Sequence, residues 1–152
     1  MRVWHFGDNV DTDQIIPAKY LVTADNKELG SHAFELVRPE FAKEARQGDV
    51  IVAGSNFGCG SSREHAVRAF LGLGIKYVVA RSFARIFYRN CINLGLLCIE
   101  CDVGGDEKEL DIDYENGKIV GKKEYSFPPP PDFIKRIIAD GGIVEHLRRN
   151  NV

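Results

Sequence analysis

Methionine and tryptophan each occur once in this chain, and cysteine and histidine four times each. These scarcities exclude several classes of protein. Cys59, Cys91, Cys98 and Cys101 are too few and too unevenly spaced for the disulfide framework of a small secreted domain, so reduced thiols are expected. Cys98-Ile99-Glu100-Cys101 has the spacing of a zinc or redox pair, but no second pair follows it. Residues three apart on a strand face opposite sides, so the run reads as the end of a buried strand. His5, His32, His65 and His146 form no i,i+4 pair and no group with cysteine, so no metal is expected on this chain alone. Neither sign of charge dominates: 20 basic residues stand against 22 acidic ones, net −2, which leaves no electrostatic footprint for nucleic acid. No apolar run reaches the length of a membrane span and residues 1–8 carry no apolar targeting core, so a cytoplasmic chain is expected. Repeats and a dividing linker are also lacking, and 152 residues at 44% hydrophobic suffice for one domain, 1–152, with a core needing no staples.

Periodicity then orders the chain. Val3 to Phe6 reads as a short strand, followed by a turn-rich loop from Gly7 to Asp13 and the break at Pro17. Short helices are expected over Lys27 to Phe34 and Glu40 to Arg46. Asp49 to Ala53 is an apolar, β-branched run that reads as a buried strand ending at Gly54. From Ser62 to Leu73 the apolar Ala66, Ala69, Phe70 and Leu73 recur at helical spacing, and Gly74 stops the helix. Tyr77 to Ala80 is a second strand, Ser82 to Leu94 a second helix with Gly95 as its stop, and Leu96 to Ile99 a third strand. Two successive crossovers imply parallel pairing and an α/β core. Beyond Gly104-Gly105 the pattern becomes antiparallel: Glu109 to Tyr114 alternates, Asn116-Gly117 turns and Lys118 to Val120 returns. Pro128 to Pro131 form a stiff connector, Asp132 is placed to cap a helix from Phe133 to Ala139, and Ile143 to Arg149 make a last one.

The segment from Gly54 to His65 joins a strand's carboxyl end to a helix start, which is where open α/β sheets bind ligands. Its glycines allow close backbone approach, the helix end favours an anion, and Arg63 adds a planar fork suited to carboxylate or phosphate. Ser61 and Glu64 also fit a capping box. Capping alone does not account for Gly58, Gly60, two serines and an arginine together. Cys59 is a second candidate nucleophile if the helix end lowers its pKa, although no base is evident beside it. A dinucleotide site is disfavoured, because Arg63 stands where the third glycine belongs and Arg81 where an acidic residue is needed. Arg81 could still meet a 2′-phosphate.

Three segments together, Gly7 to Pro17, residues 54–66 and Ala80 to Asn90, resemble the small-subunit family of 3-isopropylmalate dehydratase and homoaconitase, which corresponds to the mobile C-terminal domain of aconitase. Their spacing agrees as well, and the resemblance covers most of the chain. It implies an α/β fold: one swivelling β/β/α domain with a largely parallel central sheet flanked by helices and an antiparallel extension. It implies dehydration and rehydration of a hydroxy-dicarboxylate, interconverting 2- and 3-isopropylmalate in leucine biosynthesis, with homoaconitate or a methyl-substituted malate such as citramalate as alternatives. It further implies a hetero-oligomer with a large subunit bearing a [4Fe-4S] cluster, whose open iron acts on the leaving hydroxyl, while this chain binds no cofactor. Self-association of the isolated chain is compatible with it. Ser61 is then the base beside a substrate carboxylate, and Arg63, with Ser62 and Gly60, binds that carboxylate. Tyr20-Leu21-Val22-Thr23 would face the variable substituent; homoaconitase members resemble Tyr-Leu-Arg-Thr there, whereas Val22 suits an isopropyl group unless it merely packs against the sheet. A reading of a different class is a stand-alone anion- or nucleotide-binding regulatory module that uses the same loop.

Overall fold

The computed structural model describes residues 1–23, 25–61 and 63–149. Four short strands, β1 (Val3–His5), β2 (Val50–Ala53), β3 (Tyr77–Ala80) and β4 (Leu97–Glu100), lie in that order in an all-parallel sheet. Register pairs Trp4 with Ile51, Ile51 with Val78 and Val78 with Cys98. Alternation therefore sends these residues, with Ala53 and Ala80, to one face of the sheet. Val50, Val52, Tyr77, Val79, Leu97 and Ile99 point to the other, in a second apolar cluster. β2 and β3 are buried at every position because both faces are covered.

The two coverings differ. On one side lie the one-turn α1 (Thr12–Ile15), α2 (Asn26–Ser31), α3 (Pro39–Glu44), α4 (Glu64–Gly72) and α5 (Arg85–Leu94). On the other lies a separate antiparallel sheet of β5 (Asp111–Asp113), β6 (Lys118–Val120) and β7 (Glu124–Ser126), so the expected antiparallel extension is a layer of its own. Its strands alternate as a half-covered sheet should, burying Ile112 and Ile119 against the parallel layer. α6 (Asp132–Ala139) and α7 (Ile143–Arg149) close the helical side against α5. α2 crosses α4 at backbone distance: a Cβ on Gly72 would stand 1.9 Å from the Asn26 carbonyl oxygen. Among the described residues no helix is long and apolar enough to cross a membrane.

Several boundaries fall elsewhere than periodicity places them. α4 begins at Glu64, with Arg63 at the N-cap and no side chain capping it, so Ser61 and Glu64 do not form the expected capping box. α5 begins at Arg85 rather than Ser82, because the serine is engaged elsewhere: its Oγ accepts the Asn56 N–H at 2.7 Å and its carbonyl accepts the Phe57 N–H at 3.0 Å. Asp132 is the first residue of α6 rather than its cap, a place where a carboxylate still complements the helix dipole. Part of the loop from Gly7 to Asp13 is helical: Asp11 Oδ1 accepts the Gln14 N–H at 2.8 Å while Gln14 Oε1 accepts the Asp11 N–H at 3.1 Å, a complete capping box.

β1 is anchored by a buried carboxylate. Asp49 Oδ2 accepts from Trp4 Nε1, the Arg46 N–H and Arg2 Nη2, each at 2.9 Å. Burial pushes this carboxyl upward, but the hydrogen bonds from Arg46, Trp4 and Arg2 outweigh it and hold the pKa below the usual value. A carboxyl lowered by folding contributes stability above its unfolded pKa, and that contribution is lost as pH falls through the lower folded value. Asp49→Ala orphans these donors and should cost about 2–4 kcal/mol in urea unfolding at pH 7. The difference from the parent should shrink below about pH 4.

Candidate functional site

The loops that follow β1, β2 and β3 all leave from the carboxyl edge of the parallel sheet. They are stitched to one another by main chain. Gly54 donates to the Gly7 carbonyl at 3.0 Å, Asn9 to Ser55 at 2.8 Å, Gly58 to Val10 at 2.7 Å and Thr12 to Cys59 at 2.9 Å, which joins the first loop to the second. Arg81 donates to Gly54 at 3.0 Å and Ala84 to Phe57 at 2.9 Å, which joins the third. Side chains reinforce the junction: Asp8 Oδ1 accepts the Ser55 N–H at 2.7 Å and Arg81 Nη2 at 2.9 Å. The Ser55 N–H foremost, and then Arg81, holds the Asp8 carboxyl below its ordinary range. Arg81 is thus paired with Asp8, so the nucleotide feature considered for it has a partner within the chain.

The floor beneath is aromatic. Phe6 stacks on Phe34 with centroids 4.3 Å apart, and edge or tilted contacts continue from Phe34 to Phe70, Phe57 and Phe87. Phe87 on α5 lies directly under Gly58, whose φ is +83° and whose added Cβ would fall 2.2 Å from the ring. That spot requires glycine both for backbone conformation and for space.

On this floor stand the residues singled out by sequence. Ser61 is exposed, and its carbonyl accepts the hydroxyl of buried Thr12 at 2.9 Å. Its own hydroxyl makes no hydrogen bond among the described residues. Gly60 is exposed beside Thr12. Ser62 lies outside the described residues. Arg63 turns back toward α1: its Nη1 pairs with the Asp13 carboxylate and reaches the Ile16 carbonyl at 3.4 Å. The second candidate nucleophile, Cys59, lies five residues before the first residue of α4, and its carbonyl accepts the Thr12 N–H.

The 20–23 loop begins four residues past Ile16, whose carbonyl Arg63 reaches. Tyr20 is engaged at its base: its hydroxyl donates to Glu35 at 2.7 Å and its ring stacks on His32 at 3.9 Å. The bond to Glu35 raises the Tyr20 phenol, and the same bond, with His32, lowers the Glu35 carboxyl. Leu21 and Thr23 are half-buried, while Val22 is 93% exposed, so it does not pack against the sheet.

Sequence reasoning missed the partners: Thr12, which holds the Ser61 backbone, and Asp13, which holds Arg63. The available signal was the Asp11-x-x-Gln14 capping box, since a helical turn from Thr12 necessarily aims Thr12 and Asp13 in different directions. Ser61 and Val22 are exposed and Arg63 is partly so. A cleft of about 350 Å³ adjoins the junction at Asp8, Gly54 and Arg81, and a larger one of about 710 Å³ lies at the far end around Met1 and Glu107; neither is lined by those three residues. Among the described residues no group of three or more His, Cys, Asp or Glu could hold a metal ion. The cysteines are dispersed, with Cys91 and Cys98 buried in the helical-side core, where burial and the neighbouring Cys98 push the Cys91 thiol well up. These residues do not fit an iron–sulfur cluster.

Comparison with known proteins agrees with this architecture. Residues 40–104, spanning α3 to just past β4, match the aconitase C-terminal domain. The chain is 55% identical to 3-isopropylmalate dehydratase small subunit 1 of Archaeoglobus fulgidus, covering 97% of this chain and 95% of that one. It is 52% identical to the methanogen homoaconitase small subunit of Methanothermobacter thermautotrophicus, covering 95% and 88%. Its structure is similar to the crystal structure of a 3-isopropylmalate dehydratase chain from Methanocaldococcus jannaschii, with a TM-score of 0.93 at 46% identity over 99% and 93% of the two chains. With its three stitched loops and its layered sheets matched along nearly full length, the chain belongs to the 3-isopropylmalate dehydratase small-subunit family.

Proposed function

We propose that this chain is the small subunit of a 3-isopropylmalate dehydratase, acting as one domain that swings onto a large subunit to complete the active site. The observation that carries the reading is the open junction at the carboxyl edge of the sheet. Ser61 and Arg63 are fixed through α1, and Ser61 stands exposed at that edge, as befits half of a site. In this reading the [4Fe-4S] cluster belongs to the large subunit. This chain contributes Ser61, whose oxygen takes the proton beside a substrate carboxylate, and Arg63, which with the Gly60 backbone and Ser62 receives that carboxylate. A serine is a poor base in water, but the positive end of α4, whose N-cap is two residues on, favours its alkoxide.

Val22 supports isopropylmalate over a tricarboxylate: a bare apolar side chain suits an isopropyl group and leaves a third carboxylate without a partner. The homoaconitase relative keeps the tricarboxylate reading alive as the second choice. Both are tested by reconstituting the pair and measuring turnover of isopropylmalate, homoaconitate and citramalate. The pair should turn over isopropylmalate while the isolated chain is inert. Turnover of homoaconitate alone would reassign the substrate, and tight phosphate or nucleotide binding by the isolated chain would favour the regulatory module. In the same assay Val22→Arg should shift the kcat/KM ratio toward homoaconitate by about tenfold or more. An unchanged ratio would remove the 20–23 loop from substrate choice.

A further inference from the structure

Asp13 carries the same chemical group as the one Arg63 is proposed to hold, and it reaches Arg63 first. It is 64% exposed on its side-chain surface, whereas the Arg63 side chain is only 14% exposed. The contacts are one-sided. Asp13 Oδ1 and the Ile16 carbonyl both use Nη1 of the guanidinium, and no hydrogen bond among the described residues uses Nε or Nη2. A guanidinium presents its five N–H groups along separate edges, and a bidentate carboxylate needs two parallel ones. The Nε–Nη2 edge supplies such a pair.

The placement of Asp13 is itself fixed. The capping box of Asp11 and Gln14 forms α1, whose first residue, Thr12, is buried and bonded to the Ser61 carbonyl. The next residue is Asp13. One helical turn therefore sets the main chain of Ser61 with one side chain and the guanidinium of Arg63 with the next. As a mere surface ion pair, Asp13 would matter little, because exposed pairs add almost nothing to folding.

We propose that Asp13 is a positioning residue for substrate binding: it holds Arg63 by Nη1 so that the Nε–Nη2 edge is presented to the substrate carboxylate. This rests on the reading of Arg63 as the carboxylate clamp. Without the Asp13 carboxylate the guanidinium rotates among rotamers, and the ordering it had in advance must be supplied by substrate at each binding event. Affinity falls while the chemical step, which uses Ser61, changes little.

The test is steady-state kinetics of the reconstituted complex with isopropylmalate, for the parent, Asp13→Ala, Asp13→Asn, Arg63→Ala and the Asp13→Ala/Arg63→Ala double variant. Asp13→Ala should raise KM about tenfold with kcat within about threefold of the parent, and Asp13→Asn, which keeps an acceptor oxygen for Nη1, should recover part of that loss. On the Arg63→Ala background, Asp13→Ala should have no further effect, because its role runs through the arginine. An unchanged or lowered KM in Asp13→Ala, or an equal effect with and without Arg63, overturns the proposal. If Arg63→Ala raises KM and Asp13→Ala does not, the clamp stands and only the role of Asp13 fails. An Arg63→Ala complex with unaltered KM removes the clamp and the proposal together. Thermal melting of each small subunit separates these results from misfolding, since Asp13→Ala should leave the midpoint nearly unmoved.

Discussion

Ser61→Ala should lower kcat of the reconstituted enzyme by about a hundred- to ten-thousandfold, the range spanned by loss of a positioned proton acceptor. KM should stay within about threefold, because Arg63 and its anchors are left in place. The substitution is clean on physical grounds. What fixes this stretch of chain is the Thr12 hydroxyl bonded to the Ser61 carbonyl, a main-chain acceptor that alanine retains. The serine hydroxyl itself is exposed and bonds to nothing among the described residues, so its removal orphans no partner and leaves no buried void. A variant that melts like the parent, assembles with the large subunit and turns over substrate at the parent rate would remove Ser61 from the chemistry.

Gly58→Ala should act in the opposite way, through structure first and activity second. At φ +83° an L side chain is strained, and the new Cβ would meet Phe87 Cγ at 2.2 Å. Phe87 cannot retreat, since it is only 2% exposed and packs against Phe57 and the rest of the aromatic floor. Strain and overpacking together should cost about 3 kcal/mol, or roughly 10 °C in melting temperature. The Gly58 N–H bond to Val10 is one of the stitches between the first and second loops, so whatever fold survives should have a displaced Ser61. Phe87→Ala in the same chain would open the space but not relieve the φ angle, so it should restore only part of the loss. Full stability in Gly58→Ala would mean that the loop has room the structure does not show.

Much of the sheet was legible in the sequence because burial on both faces writes itself as uninterrupted apolar runs. Tyr77 to Ala80 is such a run, and its boundaries agree with β3. The strand expected from Asp49 to Ala53 differs from β2 by one residue, because Asp49 turns out to be the carboxylate that anchors Trp4. Helix interiors were equally visible, but their starts were not. Ser61 and Ser82 both look like caps in one dimension, and in three dimensions their polar groups serve contacts across loops that no local pattern records. The site was read as a single continuous segment, Gly54 to His65. The structure adds a second segment, Asp11 to Ile16, that holds the first by pairs 47 to 50 residues apart in sequence. Such long-range pairs leave no periodic trace, and the capping box that positions them is only one turn long.

The near-total exposure of Val22 bears on how one scaffold can accommodate different acids. A side chain that leans on nothing within its own subunit is under no obligation to the core, and its replacement should leave folding, layering and the stitched junction untouched. Relatives bearing the names of two different enzymes stand at 55% and 52% identity to this chain. On the proposed reading of the 20–23 loop as the part that meets the substrate, such a protruding tip would let selectivity change independently of architecture.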